Sequence, residues 1–258
     1  MQSFNGQTVV VAGATGNVGP FVVRALLERG ASVAAPSRSE EKIRGLREHL
    51  SQHLDETGSG RLHTLVGDLS DEREAAVVRQ RISEEAGTPA AVVATVGDFI
   101  TTPSLLEART DDLQRALDGY LLANFVIAHT FLPILRESGG TCVLLQGPLA
   151  FELHPELDAH LISVATAAQH MLFRALAQEL DGTRARVVEL VSHASIRDGQ
   201  TQPTSPLSGE ALGDFVASLL SGAGEEIHGR SIHLRSPEQL WDVALRDAVA
   251  REGHMPSG

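Results

Sequence analysis

The feature that most restricts this chain is a strict alternation of short apolar runs with longer amphipathic stretches. The runs at 8–12, 32–35, 62–66, 90–96, 142–145, 186–191 and 231–234 read as seven strands. Between them, the periodicity predicts helices over 18–29, 40–54, 71–86, 111–136, 157–180 and 209–221. Parallel neighbours need crossover connections, and right-handed crossovers lay helices over both sheet faces. The expected fold is therefore α/β, a doubly wound seven-stranded parallel sheet in a single domain. Its strands are nearly all apolar, as burial on both faces demands. The core is expected over about residues 6–235, followed by one more amphipathic helix over about 237–251 and a loose tail at 252–258. Two polar segments, 55–60 and 195–208, read as connections, and the second follows the sixth strand at the edge where ligands bind in such sheets. That segment suits either a lid or a solvated connection.

Composition narrows the partners. Of 258 residues, 42% are apolar, enough for a substantial core, and 33 acids against 21 bases give a formal net charge of −12. A diffuse attraction to nucleic acid or to an anionic membrane is not expected. Cys142 is the only cysteine, so neither an intrachain disulfide nor a four-cysteine zinc site can form. His49 and His53 stand one helical turn apart among charged neighbours and read as a surface pair, so no metal is expected. The opening residues lack a basic start followed by a long apolar run, and no apolar stretch is expected to span a bilayer, which points to a cytoplasmic protein.

The first chemical signal is Gly13-Ala14-Thr15-Gly16-Asn17-Val18-Gly19, between the first strand and the first helix. Glycines there allow a tight turn and close backbone approach to a pyrophosphate, which the open amides of the helix start then meet. At the end of the second strand, where an acid would take the ribose hydroxyls of NAD, the chain has Ser37-Arg38-Ser39. A guanidinium flanked by two hydroxyls suits the 2′-phosphate of NADP(H), with NAD(H) the less favoured ligand. After the third strand, Asp68 can accept from the adenine amino group or serve as a helix-capping residue, and Leu69 follows it.

With these residues in place, the chain resembles the short-chain dehydrogenase/reductase family from the glycine loop to about Leu234. Asp68-Leu69 matches the family's Asp-Leu pair. Ala94-Thr95-Val96-Gly97 is an altered form of its Asn-Asn-Ala-Gly, which places Thr95 and Gly97 beside the cofactor. Leu132-Pro133 and the Ala-x-Glu-Leu at 177–180 are also family-like, although the glycine spacing is that of the extended and atypical branches. The resemblance implies a Rossmann fold and a nicotinamide-dependent oxidoreductase acting on a small molecule.

Family reductases use tyrosine as acid/base, a lysine four residues later that lowers its pKa, and a serine that orients the substrate oxygen. Counted on this chain, those positions fall on Ile162, Thr166 and Gly147, and the family's asparagine falls on Tyr120. The only tyrosine and the only lysine, Tyr120 and Lys42, stand far apart and in reverse order, so no shift of register restores the pair. The candidate replacements are Tyr120, His193 after the sixth strand, and Gln146 beside Gly147. Asp98, His154 and His160 lie in the same region. No nucleophile elbow surrounds Ser163, Ser192 or Ser195. Three classes remain: an NADP-dependent oxidoreductase with a rearranged site, a non-redox isomerase, cyclase or lyase, and an inactive dinucleotide-binding sensor or partner subunit. The helices over 111–136 and 157–180 are apolar on more than one face, so a homodimer or homotetramer is expected.

Overall fold

The computed structural model describes residues 4, 6–53, 60–197, 199–222 and 227–236. Most of the 55–60 connection, the expected helix at 237–251 and the tail at 252–258 lie outside them. Seven strands form one parallel sheet: β1 (Thr8–Ala12), β2 (Ser32–Ser37), β3 (Arg61–Val66), β4 (Pro89–Ala94), β5 (Thr141–Gln146), β6 (Arg186–Ser192) and, last in the chain, β9 (Ser231–Leu234). Their order is β3-β2-β1-β4-β5-β6-β9. The order reverses direction between β1 and β4, which opens a crevice at their carboxyl ends.

Strand side chains alternate between the faces, and each face has its own core. Val9, Val11, Val93 and Val143 pack under α1 (Gly19–Glu28), α2 (Glu40–His53) and α7 (Gly209–Gly222). On the other face, Val10, Val92 and Leu144 meet α3 (Glu72–Glu85), α5 (Ala123–Ser138) and α6 (His160–Glu179). The interiors of the central strands β1, β4, β5 and β6 are apolar apart from Glu189, in the middle of β6, which is 0% exposed. Edge strand β3 is half exposed and carries Arg61, His63 and Thr64.

The expected helix over 111–136 is divided. Between α4 (Thr110–Leu117) and α5, residues Asp118–Leu122 form a π-helical turn in which the Ala123 N–H reaches Asp118 O. Asn124 Nδ2 donates to the Tyr120 carbonyl at 2.7 Å and so occupies an acceptor beside the widened turn. The whole path Thr110–Ser138 is 29 residues with a mean hydropathy of 1.3 in its most apolar window. By length and composition alone it could cross a membrane, contrary to the expectation from sequence. Its apolar stripe of Ile127, Phe131 and Leu135 is fully buried against the sheet.

The 195–208 segment is more ordered than a plain connection. β7 (Ile196–Arg197) and β8 (Gln200–Thr201) form an antiparallel hairpin. Gly199 N donates to Asn17 Oδ1 at 3.4 Å, and Gly209 N donates to Thr201 Oγ1 at 2.8 Å. The hairpin thus rests on the glycine loop and on the start of α7.

Candidate functional site

The loop between β1 and α1 is tight because its glycines touch other backbone. Gly13 has φ +83°, and a Cβ there would lie 2.7 Å from Thr95 Oγ1 and 2.8 Å from the Thr95 carbonyl. A Cβ on Gly19 would lie 2.2 Å from Gly13 O. Gly16 N closes the turn on Gly13 O at 2.9 Å. Val18 caps α1 without a side-chain acceptor, and no acid stands in its first turn, so the amides at this helix start keep their preference for an anion. Thr95 completes the floor by donating from Oγ1 to Ala12 O at 3.1 Å.

Beyond this loop lies a cavity of about 500 Å³. Of the residues expected from sequence, Gly13, Thr15, Gly16, Ser37, Arg38, Ser39, Asp68, Leu69, Thr95 and Gly97 line it. Asn17, Val18 and Gly19 do not, since they belong to the turn that shapes it. Thr15 Oγ1 and Ser37 Oγ are 3.1 Å apart, which joins the glycine loop to the end of β2. Arg38 is 69% exposed, with Nη1 3.9 Å from Asp68 Oδ2. Asp68 Oδ1 accepts from Ser70 N at 2.8 Å and from Ser70 Oγ, so one oxygen serves the local turn and the other faces the guanidinium. Sequence reasoning missed Lys42, Arg115 and Asp118 in the wall. Lys42 had a signal, being one helical turn beyond Arg38 at the start of α2; Arg115 and Asp118 arrive only through the packing of α4.

A glycine cradle with no room for a Cβ, an uncapped helix start and two cations beside hydroxyls fit a dinucleotide's phosphates. No acid from the end of β2 stands among the cavity residues.

The matches to known proteins agree with this geometry. Residues 7–195 match the family described as short chain dehydrogenase. The chain belongs to that family. As a short chain dehydrogenase it is 24% identical over 223 residues to sulfoacetaldehyde reductase 2 of Chromohalobacter salexigens, a match covering 81% of this chain and 86% of that protein. It shares its fold with a short-chain type dehydrogenase/reductase from Mycobacterium ulcerans (TM-score 0.79, 20% identity, 93% and 91% of the two chains covered). An alcohol dehydrogenase from Thermococcus sibiricus, solved with 5-hydroxy-NADP, has TM-score 0.73 at 21% identity and 89% and 96% coverage. L-sorbose reductase from Gluconobacter frateurii, solved with NADPH and L-sorbose, has TM-score 0.78 at 16% identity and 91% and 97% coverage.

The candidate acid/base residues of this short chain dehydrogenase do not converge. Tyr120 lies across Gly97, where a Cβ would sit 2.4 Å from its Cε1, and its hydroxyl donates to Asp98 O at 3.0 Å. Burial, with the Asp98 charge second, pushes the phenol up to about 12, so near neutral pH it stays protonated. Gln146 is 3% exposed, and Nε2 donates to Glu189 Oε1 at 2.6 Å, beneath α6 and away from the cavity. His193 is anchored by its backbone N–H on Leu234 O at 3.0 Å, and its ring lies 6.2 Å from that of His233. Burial first, then the Arg235 charge, lowers its pKa below the ordinary histidine value.

At the positions sequence counting assigned to the acid/base, lysine and serine, the surroundings are apolar or open. Ile162 is 1% exposed in a small cluster with Ile100, Ala116 and Leu161, with Tyr120 packed beside it. Thr166 is fully buried, and Oγ1 donates to Ile162 O at 2.8 Å. Among the described residues, a Cβ on Gly147 would have no atom within 4 Å. Among the described residues, no group of three or more His, Cys, Asp or Glu side chains is arranged for a metal ion.

Proposed function

We propose that this short chain dehydrogenase binds NADP(H), with Arg38 and the Ser37 and Ser39 hydroxyls receiving the 2′-phosphate and Lys42 adding charge at the same wall. The observation that carries this reading is the end of β2, where Arg38 and two serines line the cavity and no acid is present. Bound there, the nucleotide would supply a hydride donor or acceptor. The chain's own part is to cradle the pyrophosphate with Gly13, Thr15, Gly16 and the turn Asn17-Val18-Gly19, and to seat the adenosine near Asp68, Leu69, Thr95 and Gly97. Structural neighbours solved with NADPH, 5-hydroxy-NADP and NADH support a nicotinamide dinucleotide as the cofactor class, and the choice of NADP(H) rests on the end of β2.

The same reading holds that carbonyl reduction by the family's usual acid/base pair is absent. Ile162 cannot deliver a proton, and Thr166 spends its hydroxyl on a helix carbonyl. His193 is the remaining candidate among the three replacement groups, because Tyr120 and Gln146 are committed to Asp98 O and Glu189. The apolar burial of Ile162 favours as second readings a non-redox isomerase, cyclase or lyase, or an inactive dinucleotide-binding sensor or partner subunit. Sulfoacetaldehyde, the substrate named for the relative, belongs in any substrate panel. Calorimetry should show NADP⁺ binding more tightly than NAD⁺; equal affinities would refute the assignment.

The proposed setting is cytoplasmic, with a homodimer or homotetramer as the working state and no nucleic-acid, membrane or metal partner. Leu122 and Phe125 on the π-turn and α5, and Val164 and Met171 on α6, are 45%, 49%, 46% and 56% exposed, and a second copy of this chain would cover them. Light scattering at micromolar concentration should give at least twice the chain mass of 27.5 kDa. A monomer mass would contradict the assembly.

A further inference from the structure

Apart from the residues that line the cavity, the ends of β5, β6 and β9 hold a second polar corner. At its base the buried Glu189 accepts from Gln146 Nε2 at 2.6 Å, from His170 Nδ1 at 2.8 Å and from Ser231 Oγ. These three donors compensate its removal from water. Above it, Phe151 meets the rings of His170 and His233 edge to face, each at 4.7 Å between centroids. Glu152 accepts from Arg235 Nη2 at 2.9 Å. His154 Nδ1 is 2.9 Å from Glu156 Oε1, and its Nε2 is 3.7 Å from Glu152 Oε2. Through Phe151 and Glu152 the segment after β5 is thus fastened to α6 and to the end of β9, while His154 braces it internally between Glu152 and Glu156.

Four imidazoles meet here, and they differ in what a second proton would find. The Nδ1 atoms of His170 and His154 already face carboxylates. Among the described residues, His154 Nε2 is buried without a hydrogen bond but stands 3.7 Å from a Glu152 carboxylate oxygen, whereas His193 Nε2 and His233 Nδ1 are buried with no hydrogen-bond partner. An imidazolium carries a proton on both nitrogens, so charging either ring would place a buried N–H against no acceptor. The nearby Arg235 adds like charge, opposed by Glu152 and Glu189.

We propose that this corner is a proton-operated latch: charging His193 and His233 breaks the contacts of Phe151 and Glu152 with α6 and the end of β9 and loosens residues 148–157. The direction is fixed by linkage. Burial first, and Arg235 second, hold both histidines below the ordinary value. The unfolded chain therefore binds more protons below about pH 6.5. Their neutral forms contribute stability above that pH, and the contribution is lost as pH falls through the folded-state values. The latch is closed at neutral pH and open in acid.

Hydrogen exchange on the full chain tests this. After correction for intrinsic rates, amides of residues 148–157 should exchange about tenfold or more faster near pH 5 than near pH 7.5, while α3, which holds no histidine, should not change. The double variant His193→Asn, His233→Asn should remove the acceleration. Independently of any variant, NMR titration of the wild-type ring protons should place His193 and His233 below the ordinary histidine value. Unchanged exchange at 148–157, equal acceleration of α3, acceleration surviving in the double variant, or ordinary titration of both rings would each overturn the latch.

Discussion

A Gly19→Ala protein is expected to lose about 1–3 kcal/mol of stability, the usual cost of an added methyl in a closed contact. It should also lose nucleotide affinity by on the order of tenfold or more, equivalent to about 1.4 kcal/mol. The reason is steric: the new Cβ would stand 2.2 Å from Gly13 O and 2.6 Å from the Ala14 backbone, so the turn that forms the cradle must open. The three nearest atoms are all backbone, which cannot swing aside as the end of a flexible side chain can. Urea unfolding with an unchanged slope reads the first effect, and calorimetry with NADP⁺ reads the second. A variant equal to the parent in both would mean that the loop tolerates an opening the packing forbids.

Arg38→Ala is expected to act on the ligand and leave the fold alone. A charge-assisted hydrogen bond contributes about 1.5–3 kcal/mol when its partners are dry. Arg38 is 69% exposed, so screening places the effect near the low end, about a tenfold loss of NADP⁺ affinity that grows at low ionic strength. NAD⁺ affinity should be unchanged, because the guanidinium reaches only the extra phosphate. An equal loss for both nucleotides would place Arg38 on a group they share.

The fold was legible because a doubly covered parallel sheet writes itself as continuous apolar runs, and each of the seven became a strand in the expected order along the chain. The glycine loop was legible for a similar reason, since its tight turn is built within seven consecutive residues. What escaped was decided over distance. Gln146 and Glu189 are 43 residues apart and meet only because β5 and β6 are neighbours. Alternation along β5 sets Gln146 on the same face as Cys142 and Leu144, under α6, which is why it serves Glu189 and does not turn toward the cavity. Arg115 and Asp118 reach the cavity by helix placement, and the π-turn around Tyr120 leaves no mark in the apolar period.

The buried surroundings of Ile162 also bear on attempts to rebuild a reductase. Gly147→Ser has open space, but Ile162→Tyr must enter a closed apolar cluster and Thr166→Lys a fully buried position. The triple variant should therefore fall far short of an efficient enzyme. The most direct test uses the natural protein: NADPH is added, binding is verified by fluorescence, and nicotinamide absorbance is followed with a panel of simple aldehydes and ketones. On the proposed reading the family's general acid is absent, which removes about 10²–10⁴-fold in rate, so bound nucleotide and no appreciable oxidation is the predicted result. Turnover on the order of 1–10³ per second would contradict the account.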